Sequence, residues 1–303
     1  MTNRIKRARR VQLSVPGSSE KMLQKGAASA ADHVFCDLED AVAPAAKVEA
    51  RGKIAWALNN LDWGRKTRCV RINDVTTEYC HGDIIELVEH AGSNIDTIML
   101  TKPMSAADVI FLDRMLGQLE KKLKLDRRIG IEVLIEEVQA LQQVEDIARC
   151  SDRLECLIFG MGDYSGSQGI VLENIGVTDG YPGDLFHYAR FRITMAARAA
   201  GLDAVDGPYG DFTDEAGYRR EAGYARTLGM VGKWAIHPAQ IAPALDVFSP
   251  SVDQVARARR MEAAYREAEA KGLGAVQVDG AMIDVAVLRF VRNTLDLADL
   301  YGM

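Results

Sequence analysis

Short, nearly continuous apolar runs recur along the chain, separated by longer stretches whose apolar residues return every three or four positions. Eight such runs stand out: Val11 to Val15, His33 to Glu39, Thr67 to Asn73, Thr97 to Lys102, Ile129 to Glu136, Glu155 to Asp163, Asp203 to Pro208 and Lys233 to Pro238. Unbroken hydrophobicity is what strands covered on both faces require, whereas a strand with one wet face alternates. Buried parallel strands also need long crossovers, and the helical stretches between the runs supply them. Eight repeated strand and helix units predict an α/β fold, a TIM (β/α)8 barrel.

Helix and turn signals fall where this reading needs them. Ser105 followed by Asp108, ahead of VIFLDRML, reads as a capping box, and Gly201 after ITMAARAA reads as a helix stop. Beyond the eighth run a helix is predicted from about Ser251 to Ala270. The Asp279-Gly280 pair between AVQV and AMID then marks a two-residue hairpin, and a last amphipathic helix follows. The chain therefore divides into a catalytic barrel over residues 1–250 and a hairpin and helical extension over 251–303, of the kind that packs on a neighbouring subunit.

Composition narrows the class of function. Among 303 residues, 37 Lys and Arg stand against 43 Asp and Glu, and 48% of positions are hydrophobic, which suits an ordinary globular core and excludes disorder, collagen and disulfide scaffolds. The mildly acidic balance lacks the footprint of a nucleic-acid binder, so any anionic ligand must be held by local positive charge. The basic stretch from Arg4 to Arg10 is expected to be a solvated arm. Cys36, Cys69, Cys80, Cys150 and Cys156 form an odd set with no CxxC pair, so free thiols in a reducing cytoplasm are expected. No apolar run reaches the length of a membrane span.

Chemistry in such a barrel gathers at the C-terminal ends of the strands. Those ends are polar here: Asp37, Glu39 and Asp40 after the second run, Arg71 and Asn73 after the third, Lys102 after the fourth, Glu136 and Glu137 after the fifth, Asp163 after the sixth, Asp206 after the seventh and His237 after the eighth. Carboxylates converging on one mouth repel one another unless a cation neutralises them, and the economical cation is hard and divalent. Magnesium takes one or two protein carboxylates and keeps its other positions for water or ligand, so Glu136 and Asp163, from adjacent strands, fit. Ordinary strand-end carboxylates satisfied by helix N-termini or salt bridges fit the spacing equally well. Glu132 is set on the opposite face from Glu136, away from the mouth, and His237 is read as structural or as pocket wall.

The strings FCDLEDAVAPAAKVEAR, VRIND, EVLIEE, FGMGDYSGSQG, VDGPYGDFTDEAGY and GMVGKWAIHPAQI resemble, in order, segments of the malyl-CoA lyase family, within the citrate lyase β-subunits and HpcH/HpaI-type aldolases. The resemblance runs from about Arg10 to the C-terminus. It implies that Glu136 and Asp163 bind magnesium, or manganese in its place, and that Arg71 stabilises charge developing on the substrate's carbonyl oxygens. It also implies that Glu39 and Asp40 hold metal-bound waters, and that Asp284 reaches the active site of an adjacent subunit as acid or base. Arg71 as a structural ion pair with Glu39 or Asp40, and Asp284 as an N-cap, are the competing roles.

The implied reaction is reversible carbon-carbon cleavage of a 3-hydroxyacyl-CoA, such as malyl-CoA or β-methylmalyl-CoA, to acetyl-CoA or propionyl-CoA and glyoxylate, in a homotrimer or homohexamer. Lys25 matches a family lysine for the coenzyme A phosphates, and Arg10 and Lys21 are the nearest further cations. Two departures bear on this. Ser19 stands where many relatives have an arginine, and the segment from Tyr164 to Leu185 is shorter than in well-known malyl-CoA lyases, which bears on the acyl group accepted. A malyl-CoA thioesterase, a citramalyl-CoA lyase, a CoA-free hydroxy-acid aldolase and a non-catalytic CoA-binding scaffold are the alternatives.

Overall fold

The computed structural model describes residues 5–171, 174–175 and 183–303. Arg4 and, within the segment from Tyr164 to Leu185, residues 172–173 and 176–182 lie outside the described residues. All eight runs form strands: β1 (Val11–Pro16), β2 (His33–Asp37), β3 (Thr67–Arg71), β4 (Thr97–Leu100), β5 (Gly130–Ile135), β6 (Leu154–Phe159), β7 (Asp203–Asp206) and β8 (Gly232–Ala235). They pair in parallel in sequence order and β8 closes on β1, giving a TIM barrel with helices in the crossovers. The apolar runs overshoot the strands at their C-terminal ends, because there the backbone leaves the sheet to present polar side chains. In the sixth run Gly160 to Asp163 have already turned into the helix Met161–Gln168.

Two cores follow from the two faces of these strands. Outward residues such as Val34, Cys36, Val70, Ile98 and Leu100 meet the helices in one large cluster. Inward residues Phe35, Cys69, Met99, Leu134, Cys156, Ile158, Val205 and Trp234 fill the barrel's middle layer. Beneath them lies a buried polar layer built around Glu132, which accepts hydrogen bonds from Arg9, Gln12 and Thr97 and meets His33 Nε2 at 3.1 Å. Four residues along a strand are two full side-chain periods, so Glu132 and Glu136 share the inner face, and the expectation that they face opposite ways is corrected. What separates them is the Leu134 layer and a rise of about 13 Å.

The basic arm is also corrected. Arg9 is buried and bonds Glu155 and Asp203 as well as Glu132, Arg7 pairs with Glu155 at 2.7 Å, and Arg10 chelates Asp32 with two nitrogens at 2.7 Å each. Like charges clustered in sequence are here spread over the carboxylates that plug the N-terminal end of the barrel.

Residues Ser249 to Met303 form a second compact unit. Ser251 caps the helix Val252–Ala270 with a capping box, and Asp279 and Gly280 both take positive φ between the antiparallel strands β9 (Val276–Val278) and β10 (Ala281–Ile283), as an Asx-Gly hairpin requires. Its core joins Ala258, Met261 and Tyr265 to Ile283, Leu288 and Val291 of the helix Val285–Tyr301. The expected capping box at Ser105 and the positive φ of Gly201 are likewise present. Among the described residues, no helix is long and apolar enough to cross a membrane.

Burial opposes the charge of Glu132, but His33 and Arg9 outweigh it and hold the carboxyl well below its usual range. Its contribution to stability is therefore present above the unfolded carboxyl pKa, about 4, and is lost as pH falls toward the depressed folded value. Glu132→Gln leaves Arg9 to Glu155 and Asp203 but removes the buried carboxylate that Arg9, Gln12, Thr97 and His33 share, and is expected to cost about 3 kcal/mol at pH 7. Urea unfolding of variant and parent at pH 7 and below pH 4 checks this, because the gap between them should narrow in acid.

Candidate active site

At the C-terminal mouth the sheet register sets Asp37 beside Arg71. Arg71 donates to the two Asp37 oxygens at 2.7 and 2.6 Å, a bidentate pair, and reaches Glu39 Oε2 at 3.1 Å. Asp37 also accepts the backbone N–H groups of Glu39 and Ala41, which folds the LEDA turn back over the mouth. The guanidinium carbon lies 5.6 and 5.5 Å from the rings of Phe35 and Trp234, so Arg71 rests on the aromatic floor of the middle layer. The structural ion pair weighed for Arg71 thus exists, but its main partner is Asp37. Lys47 secures the same turn from behind, donating to the carbonyls of Leu38 and Glu39 at 2.9 and 2.8 Å and to Asn73 at 2.5 Å.

On the other side, Lys102 has a left-handed φ of 47° and is followed by Pro103. Its backbone N–H donates to Glu136 Oε1 at 2.8 Å, and its ammonium bonds Glu39 and lies 3.4 Å from Asp40. Glu136 is 1% exposed. Gly160 makes its place: a Cβ there would lie 2.5 Å from Glu136 Cβ and 2.7 Å from Oε2. Asp163 sits exposed in the first turn of the helix that follows. Desolvation, then the facing charges of Asp163 and Glu39, push Glu136 well above the usual carboxylate range, and burial also raises Glu39.

The mouth thus collects Asp37, Glu39, Asp40, Glu136 and Asp163 against Arg71 and Lys102, an excess of negative charge. Among the described residues, no side-chain cation hydrogen bonds Glu136 or Asp163. A buried carboxylate whose facing carboxylates outweigh the nearby charges of Lys102 and Arg71, next to an exposed one and with oxygen donors at hand, is the donor set a hard dication prefers. His33, Cys69 and Glu132 bring three other potential ligand atoms within 4.8 Å of one another in the bottom layer. There Glu132 is already saturated, and Arg9 supplies the positive charge.

Other sequence expectations fall elsewhere. Arg10 lies at the N-terminal end of the barrel, opposite the mouth, locked on Asp32, and this removes it from the coenzyme A cations. Lys21 and Lys25 are exposed on the helix Glu20–Ala28, whose N-cap is Ser19. Asp206 faces out of the barrel, where it binds Arg190 and Lys233, and so leaves the strand-end constellation. His237 accepts from the Ala239 N–H and stacks on Phe212 at 4.6 Å, the structural role read for it. In the second unit, Asp284 caps the helix Val285–Tyr301 through Oδ1, which accepts from Ala286 and Val287. Sequence reading named Asp37 and Lys102 as strand ends but gave them no role, and it missed Lys47 and Gly160. The steric need at Gly160 leaves no composition or spacing signal.

Known proteins resemble this chain along nearly its whole length. The model of the HpcH/HpaI aldolase/citrate lyase family matches residues 10–238. An L-malyl-CoA/beta-methylmalyl-CoA lyase of Cereibacter sphaeroides is 42% identical over 93% of this chain and 92% of its own length. A (3S)-malyl-CoA thioesterase from the same species is 34% identical over 95% and 93%. The crystal structure of CitE from Mycobacterium tuberculosis in complex with magnesium, acetoacetate and coenzyme A superposes with a TM-score of 0.75 at 31% identity, covering 95% of this chain and 97% of that one.

The surplus charge gives one substitution two opposite effects. Glu136→Gln removes a buried carboxylate that faces Asp163 and Glu39, so in chelator the Tm is expected to rise above the parent's. In magnesium the parent should gain about 2.7 kcal/mol at a hundredfold excess over Kd, and the variant should gain little of it. Calorimetric melts of both proteins in EDTA and in magnesium check the pair of effects.

Proposed function

The chain belongs to the HpcH/HpaI aldolase/citrate lyase family, and from that premise we propose a magnesium-dependent lyase that reversibly cleaves a 3-hydroxyacyl-CoA, such as L-malyl-CoA or β-methylmalyl-CoA, to acetyl-CoA or propionyl-CoA and glyoxylate. The observation that carries this reading is the buried Glu136 beside Asp163, to which no side-chain cation is hydrogen-bonded among the described residues, with the clamped guanidinium of Arg71 across the same mouth. Identity of 42% to a lyase of that name supports the substrate class.

Glu136 and Asp163 would hold the ion, magnesium or manganese in its place, which when bound polarises the hydroxyl and carbonyl oxygens of the substrate. Breaking the carbon-carbon bond sends an electron pair toward the thioester, and the resulting enolate oxygen is negative. Arg71 answers that charge: Asp37 holds two of its nitrogens and Glu39 a third, so the guanidinium is oriented before the charge develops. Glu39 and Asp40, kept in place by Lys102 and Lys47, would order the waters around the ion.

Asp284 from a neighbouring copy would protonate the enolate carbon, or remove a methyl proton in the condensation direction. Its capping bonds use Oδ1, and the flanking Met282 and Val285 are each 64% exposed, an apolar surround that a second subunit would cover. This makes residues 251–303 the part that docks on the neighbour, in a trimer or hexamer. Lys25 and Lys21 are the cations offered to the coenzyme A phosphates, and the buried free thiols suit the cytoplasm.

Incubation with malyl-CoA and magnesium, with a chelator control and mass spectrometry of the products, tests the reading. Acetyl-CoA and glyoxylate are expected. Malate with free CoA would instead assign the activity of the 34% identical thioesterase. Asparagine caps helices as well as aspartate does, so Asp284→Asn is expected to leave the Tm unchanged while kcat falls about 10²–10⁴-fold. A lower Tm with undiminished kcat would reduce Asp284 to a cap.

A further inference from the structure

Three carboxylates and two cations of the mouth pair off, and two carboxylates do not. Arg71 takes both oxygens of Asp37 and one of Glu39, and Lys102 takes the other Glu39 oxygen and approaches Asp40. Glu136 receives the backbone N–H of Lys102 instead of its ammonium. We propose that Lys102 is a positioning residue that sorts the acidic mouth, keeping Glu39 and Asp40 off the ion so that Glu136 and Asp163 hold it alone and substrate oxygens find coordination positions open. The inference rests on the lyase reading of this site and adds to it a role for a residue outside the expected ligands.

The backbone supports it. A left-handed φ of 47° is sterically costly for a lysine, and the following Pro103 narrows the choice further. Such conformations persist where surrounding structure imposes them, and they gather at functional sites. Here the conformation lets one residue aim its N–H at Glu136 and its side chain at the Glu39 and Asp40 pair. A relaxed strand continuation would serve neither need at once.

The consequence follows from coordination preference. Magnesium favours one or two protein carboxylates with several positions left for water and ligand. Without the ammonium, Glu39 keeps a single cation partner, Arg71, and becomes available as a third carboxylate to an ion on Glu136. The ion is then bound more tightly and the substrate is bound worse.

Calorimetric titration with magnesium and with manganese, in the absence of substrate, tests this on the parent and on Lys102→Met and Lys102→Arg. The methionine variant is expected to bind the ions at least about tenfold more tightly, because one positive charge leaves the site. With malyl-CoA it should show a raised KM and a kcat/KM lower by about tenfold or more. The arginine variant, with its charge kept, should bind the ions as the parent does. A merely structural lysine would instead weaken ion binding when replaced. Unchanged or weaker binding by Lys102→Met overturns the sorting role and leaves the lyase reading standing. A parent that binds neither ion and cleaves no malyl-CoA overturns the lyase reading first, and the sorting role with it.

Discussion

A carboxylate buried in protein needs a cation, and the interior of this barrel answers that requirement differently at its two ends. Glu132 lies on β5 and Glu136 directly after its end, on the same face, separated by Leu134 and the middle layer. The lower one is surrounded by Arg9, His33, Gln12 and Thr97 and is held ionised. Among the described residues the upper one accepts one backbone N–H, and burial together with the facing charges of Asp163 and Glu39 makes it resist ionisation. The first arrangement closes the N-terminal end as structure. The second is an incomplete charge balance that the proposed cation would complete, and it stands at the end of the barrel where the loops carry chemistry.

Much of the surrounding structure maintains that incompleteness. Gly160 gives up a side chain so that Glu136 can lie against the backbone of the next strand. The bidentate Asp37 and Arg71 pair fixes Arg71 over the aromatic floor and occupies both Asp37 oxygens. Lys47 and Asn73 brace the LEDA turn from outside the barrel. Each device costs the fold some freedom or strain, and each acts within a few bonds of the same cluster, as expected where a site is preorganised at the expense of local stability.

The fold was legible because its signal is redundant: eight unbroken apolar runs, each followed by a helical period, admit few architectures. The capping box at Ser105, the hairpin at Asp279-Gly280 and the stop at Gly201 were legible for the same reason, since each is a local rule with local residues. What failed was non-local or geometric. Arg9 and Arg10 look like a solvated arm in sequence because their partners Glu132, Asp203 and Asp32 lie far along the chain. Asp206 ends its run just as Asp37 does, yet one residue of strand parity sends it into the helical layer. Glu132 shares its face with Glu136 by the strand's period of two, and depth in the barrel alone separates their roles. Lys102 was visible as a charge at a strand end, but its left-handed backbone, which gives it two tasks, has no counterpart in composition.

The cap formed by Asp284 is compatible with the catalytic role proposed for it. Its Oδ1 accepts the first backbone N–H groups of the last helix, which fixes the carboxylate at a helix N-terminus, where its negative charge is favoured. A proton donor or acceptor in a shared active site needs that kind of fixed position, because it must act across a subunit boundary at a carbon it does not otherwise bind. The flanking Met282 and Val285 are each 64% exposed, apolar surface that a neighbouring subunit would cover. On that account the cap is the device that delivers the acid, and the apolar surround is what seats it.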